Sequence, residues 1–266
     1  NQLQGTLPAS LGNLVHLGDF NCYSNRLDGT IPKSMGAMKG LVNLLLQSNA
    51  FTGTIPVSLC QLPLLETFYL YGNFLTGPIP TAVGNMTKLR YLGISTNRLS
   101  GTIPACIGNL TNLIECYLSD NLLSGTIPSA LGRLTNVNLM YLHNNFLFGT
   151  IPEEFGNLKS LRYIDLGHNK LTGLIPASLA KCQHLMYASF NENDLSGTLP
   201  AEVLALEALQ VFSANENGLE GAIPTAAFNV SYFAVAQNRL SGKLPSFLNA
   251  TTVLDVSFNT LTGNLK

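Results

Sequence analysis

Apolar residues recur along this chain in one fixed order, and the order repeats. A run of the form L-x-x-L-x-L-x-x, as in Leu41 to Ser48 or Leu161 to His168, is followed by Asn, with an apolar residue two positions on, Gly at four and Pro at seven. The asparagines set the period. Asn1, Asn25, Asn49, Asn73, Asn97, Asn121, Asn145, Asn169, Asn193, Asn217, Asn238 and Asn259 stand 24 residues apart nine times and then 21 apart twice. Gly takes the fourth position in every unit, Gly5 to Gly263, and Pro the seventh in eleven of twelve, Pro8 to Pro245. Such a unit is one supersecondary turn that cannot bury its own apolar residues, so it must stack on copies of itself. The expected domain is a single array over residues 1–266, made of nine 24-residue repeats, two 21-residue repeats and a partial last one.

The period of two before each Asn predicts a short strand, with Leu44 and Leu46 turned inward and Asn43, Leu45 and Gln47 outward. Successive strands lie side by side about 4.8 Å apart, which gives one parallel sheet and a stack roughly 55 Å long. The Asn stands where the backbone turns, and its amide carries donors and an acceptor for peptide groups the turn leaves unpaired. We therefore assign Asn25, Asn49, Asn73, Asn97, Asn121, Asn145, Asn169, Asn193, Asn217 and Asn238 to a structural ladder, with all the repeat asparagines expected to be buried. Gly permits positive φ, and the T-I-P that follows reads as a second short extended segment ended by Pro. The remainder, such as Ala9 to Leu14, is a helical turn or irregular crossing on the convex side. The two short units, Asn217 to Gln237 and Asn238 to Phe258, lose three residues there.

The L-x-G-x-I-P signature resembles the plant-specific class of leucine-rich repeats, found in ectodomains of receptor-like kinases, receptor-like proteins and polygalacturonase-inhibiting proteins. The resemblance covers the whole chain. It implies an α/β solenoid, a right-handed superhelix of about 11–12 coils with a concave parallel β-sheet, and an extracellular, glycosylated recognition module with its ligand on the concave or lateral face. The chain departs from that pattern in having no evident caps, since the paired cysteines that usually close both ends are missing. It begins without Met at a repeat's Asn and stops within the next repeat, which points to a piece of a longer chain.

Charged residues are 11 % of the chain and the net charge is −1, so there is no basic footprint for nucleic acid. No apolar run approaches the roughly 20 residues that cross a bilayer, and no charged leader precedes an apolar core. Five cysteines, Cys22, Cys60, Cys106, Cys116 and Cys182, occupy different repeat positions. They read as free thiols, with no metal-ligand spacing; Cys22 and Cys116, at inward strand positions, should be buried. His143 and His168 lie on the outward strand surface near Asp165, but no nucleophile motif or recurring carboxylate pair accompanies them. Neither an enzyme, a metal site nor a cofactor is expected. Sequons at Asn85, Asn109, Asn229 and Asn249 lie on the convex side and are candidate glycan sites.

Tyrosine breaks the monotony. All nine, including Tyr69, Tyr71, Tyr91, Tyr117, Tyr141, Tyr163 and Tyr187 in the middle coils, fall at outward strand positions, whereas Phe20, Phe68, Phe190, Phe212 and Phe233 point inward. Cross-strand packing of a β-favoured residue accounts for part of this. A binding surface accounts for the concentration, because Tyr offers large apolar contact and a hydroxyl at low entropic cost. With His143 and Asp165, these seven form the candidate site for a peptide, protein or carbohydrate ligand. A different class of function is a structural assembly of extracellular or cell-surface arrays, self-associating through uncapped ends. A third is ice binding through the threonines of the T-I-P segments, a ladder that Pro78, Leu174, Ala222, Lys243 and Asn264 interrupt.

Overall fold

The structure is a computed structural model and describes residues 2–224, 230–244 and 251–263. The strand before each Asn becomes a member of an 11-stranded parallel sheet, from Asp19–Asn21 through Glu115–Tyr117 to Val253–Asp255. Its register is the sequence period itself: Glu115 faces Leu139, Cys116 faces Met140 and Tyr117 faces Tyr141. Inward residues such as Leu44, Leu46, Leu92 and Leu118 are fully buried, and Phe190, Phe212 and Phe233 stack in a row with centroids 5.9 Å apart. The core is thus one continuous column. Apolar side chains lie open at the first and last coils, Leu3, Leu14 and Val15 at one end and Val253, Leu254 and Phe258 at the other. For the same reason Cys22 and Phe20, expected inside, are only half-buried.

The segment after each Asn is more regular than expected. Ten of these segments, from Thr52–Gly53 to Thr260–Thr262, form a second parallel sheet, and Gln4–Thr6 pairs with Arg26–Asp28 ahead of it. Stacking satisfies backbone groups that a lone extended segment would leave to water, as where Thr52 N–H donates to Gly29 O at 2.7 Å. The register here is 22 between 24-residue coils, where Thr102 faces Ser124 and Thr150 faces Thr172, and 19 across the short units, where Glu220 faces Arg239, so the rows of side chains shear across the sheet. At Gly53, where φ is +76°, an added Cβ would lie 2.9 Å from the methyl of Thr30 in the preceding coil, which excludes a side chain twice over.

On the convex side each coil crosses in a five-residue 3-10 helix, from Ala9–Asn13 to Ala177–Lys181, replaced in the ninth by an α-helical turn, Ala201–Leu204. Pro precedes each and fixes the extended entry, with φ −65° at Pro56. The shortened crossings of the two 21-residue units fall on residues 225–229 and 245–250, outside the described ones.

The asparagines join these layers. Asn121 Oδ1 accepts the N–H of Leu99 in the preceding coil at 2.9 Å, and its Nδ2 donates to Ile94 O of that coil and to Leu118 O and Ser119 O of its own, at 3.1, 3.2 and 3.0 Å. Asn238 makes the same set across a 21-residue unit, so the deletion leaves the ladder unchanged. Asn49, Asn73, Asn121, Asn145, Asn193 and Asn238 are buried; Asn25, Asn97, Asn169, Asn217 and Asn259 are half-buried, because the turn lies at the edge of the core. The residue before each is left-handed, among them Ser48, Thr96, Asp120 and His168 with φ of 51° to 57°, a conformation that costs side chains other than Gly about 1 kcal/mol or more.

Asn121→Ala should lower stability by about 1–3 kcal/mol, because four backbone groups at the turn lose their partner. Asn136→Ala removes an exposed hydrogen bond to Thr111 O and should cost a few tenths of that. Thermal melts of the two variants check the difference, and equal shifts would remove the ladder's structural role.

Candidate functional site

Three outward positions per strand, two, four and six residues before the Asn, make the surface of the first sheet. Because the register equals the period, residues 24 apart stand in one row across coils. Tyr69, Tyr71, Tyr91, Tyr117, Tyr141, Tyr163 and Tyr187 come from six consecutive strands and are all half-buried, whereas Tyr23 and Tyr232 beyond them are exposed.

The seven rings fall into three groups. Tyr69 meets Tyr71 and Tyr91 edge to face, with centroids 5.5 and 6.5 Å apart. Tyr117 and Tyr141 stack at 5.3 Å with planes 17° apart, and His143 leans on Tyr141 at 5.9 Å. Tyr163 stacks on Tyr187 at 6.2 Å. Gly93, which faces Tyr69 on one side and Tyr117 on the other, separates the first two groups. A Cβ there would sit 2.7 Å from Tyr69 Cδ1 and 3.1 Å from Tyr71 Cδ1, so the absent side chain is what lets Tyr69 lie over the strand. The Tyr69 hydroxyl then reaches across two coils and donates to Glu115 Oε2 at 2.7 Å. Burial, together with the Glu115 carboxylate, pushes the hydroxyls of Tyr69 and Tyr117 well above the ordinary phenol range. Burial also raises Tyr141 and Tyr187, with the Asp165 charge adding to each. At neutral pH these four side chains present hydroxyls, never phenolates.

Polar groups line the edge of this band nearest the asparagine turn. His143 stands between two carboxylates, with Nε2 3.6 Å from Asp120 Oδ2 and Nδ1 3.5 Å from Asp165 Oδ2. Asp120 also accepts from Asn144 Nδ2 at 2.8 Å, and Asp165 from the N–H of Gly167 at 3.0 Å. His168 Nδ1 lies 2.6 Å from Glu192 Oε2. The structure therefore brings the seven tyrosines, His143 and Asp165 onto one face, and adds Gly93, Glu115, Asp120, His168 and Glu192 as groups that shape it. The row Asp120, Asn144, His168, Glu192 was readable from the 24-residue spacing; the Tyr69–Glu115 bridge, spanning 46 residues, was not.

The other sequence candidates lie elsewhere. Asn85 and Asn109 are exposed at the ends of convex 3-10 helices, and Asn109 Oδ1 accepts from Arg133 Nη2 at 3.1 Å. Asn229 and Asn249 lie outside the described residues. Cys60, Cys116 and Cys182 are buried, and desolvation pushes their thiols up to about 11, 12 and 11.

Leucine-rich repeat family models match residues 135–195 and, repeat by repeat, residues 64–86, 88–110 and 112–134. Similar solved structures include the plant peptide hormone receptor RGFR1 in complex with RGF2, at 38 % identity and TM-score 0.95 over 98 % of this chain and 43 % of that one. The PEPR1–AtPEP1 complex matches at 32 % and 0.86, over all of this chain and 42 % of that one. A plant ice-binding protein matches at 27 % and 0.80, over 92 % of this chain and 81 % of that one. No curated protein sequence matches. The chain is a leucine-rich repeat solenoid of the plant type. It spans less than half the length of the two receptor chains. Among the described residues no helix is long and apolar enough to cross a membrane.

Glu115→Gln should bring the Tyr69 and Tyr117 hydroxyls back toward the ordinary phenol range, since the carboxylate's charge and its acceptor oxygen both hold the proton on. An alkaline titration followed by phenolate absorbance checks this: ionisation should begin at lower pH in the variant. Because the native state holds these protons more tightly than the unfolded chain, their contribution to stability is complete below the unfolded phenol pKa of about 10 and fades as pH rises through the folded values.

Proposed function

We propose that the chain is a non-enzymatic recognition module of an extracellular or cell-surface protein, binding a peptide or protein segment on the tyrosine-rich concave face. The observation that carries this is the run of three tyrosine clusters over six consecutive strands, half-buried, flanked by carboxylates and lying outside the core. Similarity to receptors solved with peptide hormones supports a peptide over a glycan as occupant. Aromatic anchors that desolvate fully dominate binding energies, and such a row contributes them at small entropic cost.

The test is a screen of synthetic peptides of 12 to 15 residues, with each hit titrated against the parent, Tyr117→Ala and Tyr141→Ala. Either substitution should weaken binding by about 2 kcal/mol, roughly thirtyfold, with little change in melting temperature. Unaltered affinity across all seven tyrosine positions would leave only cross-strand packing as their role. Under the same reading Asn85 and Asn109 carry N-linked glycans. Glycopeptide mass spectrometry of chain secreted from a glycosylating host should find both occupied, and unmodified asparagines throughout would count against the extracellular assignment.

One observation favours a second reading. The outer face of the second sheet presents hydroxyls opposite one another, Thr30 with Thr52, Thr102 with Ser124 and Thr150 with Thr172, and a similar structure is that of a plant ice-binding protein. The same face carries Phe146 and Phe148, half exposed, with Lys170 over the Phe146 ring, and these break the hydroxyl lattice. Thermal hysteresis and ice-crystal shaping measured on the purified chain separate the two readings.

A further inference from the structure

Charge is segregated on this solenoid to a degree its near-zero net charge conceals. The three outward strand positions and the turn residue before each asparagine hold Glu115, Asp120, Asp165, Glu192 and Glu216 in the central coils, with Asp19 and Asp255 toward the ends. None of the 14 lysines and arginines stands at any of these positions. The cations lie elsewhere: Arg98 and Lys170 on the second sheet, Arg133 and Lys181 on convex helices, and Arg90 and Arg162 one row outside the strands, where Arg90 pairs with Glu66 at 3.7 Å.

From this we infer that the segment bound on the concave face is a lysine- or arginine-bearing peptide, its basic side chains on the Glu115 to Glu216 carboxylates and its backbone and apolar atoms on the tyrosines. The inference rests on the concave-face reading above and names the chemistry of its occupant. Neutral donors orient three of the carboxylates, the Tyr69 hydroxyl for Glu115, Asn144 for Asp120 and the Gly167 N–H for Asp165, while imidazoles stand beside Asp120, Asp165 and Glu192 and no lysine or arginine does. A carboxylate offers about four acceptor sites, which leaves room for a guanidinium or ammonium. The stacked pair Tyr117 and Tyr141 stands beside Glu115, which suits a guanidinium laid on a ring face with a carboxylate at its edge. Carboxylates from Glu115 to Glu216 span four strand spacings, about 19 Å, so they act together as one field on an approaching cation. An anionic segment would meet that field with cations only at its margin, at Arg90 and Arg162, and an uncharged glycan would make no use of it.

The experiment is a fluorescence-anisotropy titration of the whole chain with a labelled Gly-Ser peptide carrying four arginines, its Arg→Gln counterpart and its Arg→Glu counterpart. The arginine peptide should bind at least about tenfold more tightly than the glutamine peptide, and the glutamate peptide should not bind. Raising NaCl from about 50 to about 500 mM should weaken the complex. Combined Glu115→Gln, Asp120→Asn, Asp165→Asn and Glu192→Gln should lose about tenfold or more. Asp28→Asn, Glu153→Gln, Glu154→Gln and Glu220→Gln, which remove equal charge from the second sheet and convex side, should change nothing. The exposed pair Glu192→Gln and Glu216→Gln, with melting curves, guards against a folding defect in the fourfold variant and should also bind more weakly. If Tyr117→Ala weakens peptide capture while the carboxylate variants do not, the charge class is wrong and the concave face stands. If neither set matters, or the second-sheet and convex variant loses binding, the face itself is wrong.

Discussion

The interaction on which this structure depends is the hydrogen bonding of one asparagine side chain to the backbone of two coils at once. Asn121 takes an N–H from the coil before it and returns donors to carbonyls of both coils. Aspartate would lack the donors, and glutamine would carry the amide one methylene too far from a turn whose geometry repeats throughout. The bonds also hold the left-handed residue that precedes each asparagine. Thr96 is β-branched and still sits at φ 51°, whereas in the coil before it Gly72 takes the position freely. A chain that places ordinary side chains in that conformation coil after coil has a strong local device to offset the strain, and the ladder is that device.

Because the ladder's bonds reach no further than the adjacent coil, stability propagates between neighbours and makes no demand on the side chains facing outward. The outer rows are therefore free to carry function without reference to the core, which is why fold and site must be argued separately. Gly93 illustrates the freedom. It occupies an outward strand position where nothing in the repeat requires a glycine, its Cβ direction is filled by Tyr69, and the space it leaves lets a hydroxyl reach a carboxylate two coils away.

Legibility in the sequence follows the same division. The first sheet, its register, the asparagine positions and the glycine at the second bend all follow from a period of 24, since one backbone geometry is being repeated. The second sheet was visible only as an extended T-I-P segment, because a register of 22 depends on how the coils shear and has no signature in residue spacing. Burial at the ends was overestimated for Cys22 and Phe20, whose inward positions are read from the repeat while their exposure depends on having a neighbour. On the concave face the composition of each row was legible, but the grouping of tyrosines into an edge-to-face cluster and two stacks is a matter of rotamers. So is the Tyr69–Glu115 contact, which needs a missing side chain in the strand between.

The acidic rows raise the question of why a fold would tolerate them. Like charges in adjacent coils, about 5 Å apart, repel, and within one row they would destabilise every interface they touch. The chain avoids this arrangement in most coils. Glu115 and Asp120 lie at opposite ends of one strand segment, the next coil places His143 where the charges on either side converge, and Asp165 resumes beyond it. His168 similarly precedes Glu192. The carboxylates are thus spaced so that neutral donors and imidazoles intervene, which lowers mutual repulsion while leaving the field of the whole face negative. A repeat under no constraint but folding would have relieved it more simply, by placing one of 14 lysines or arginines on these strands. That none is there is the physical argument for reading the surface as one that a basic partner completes.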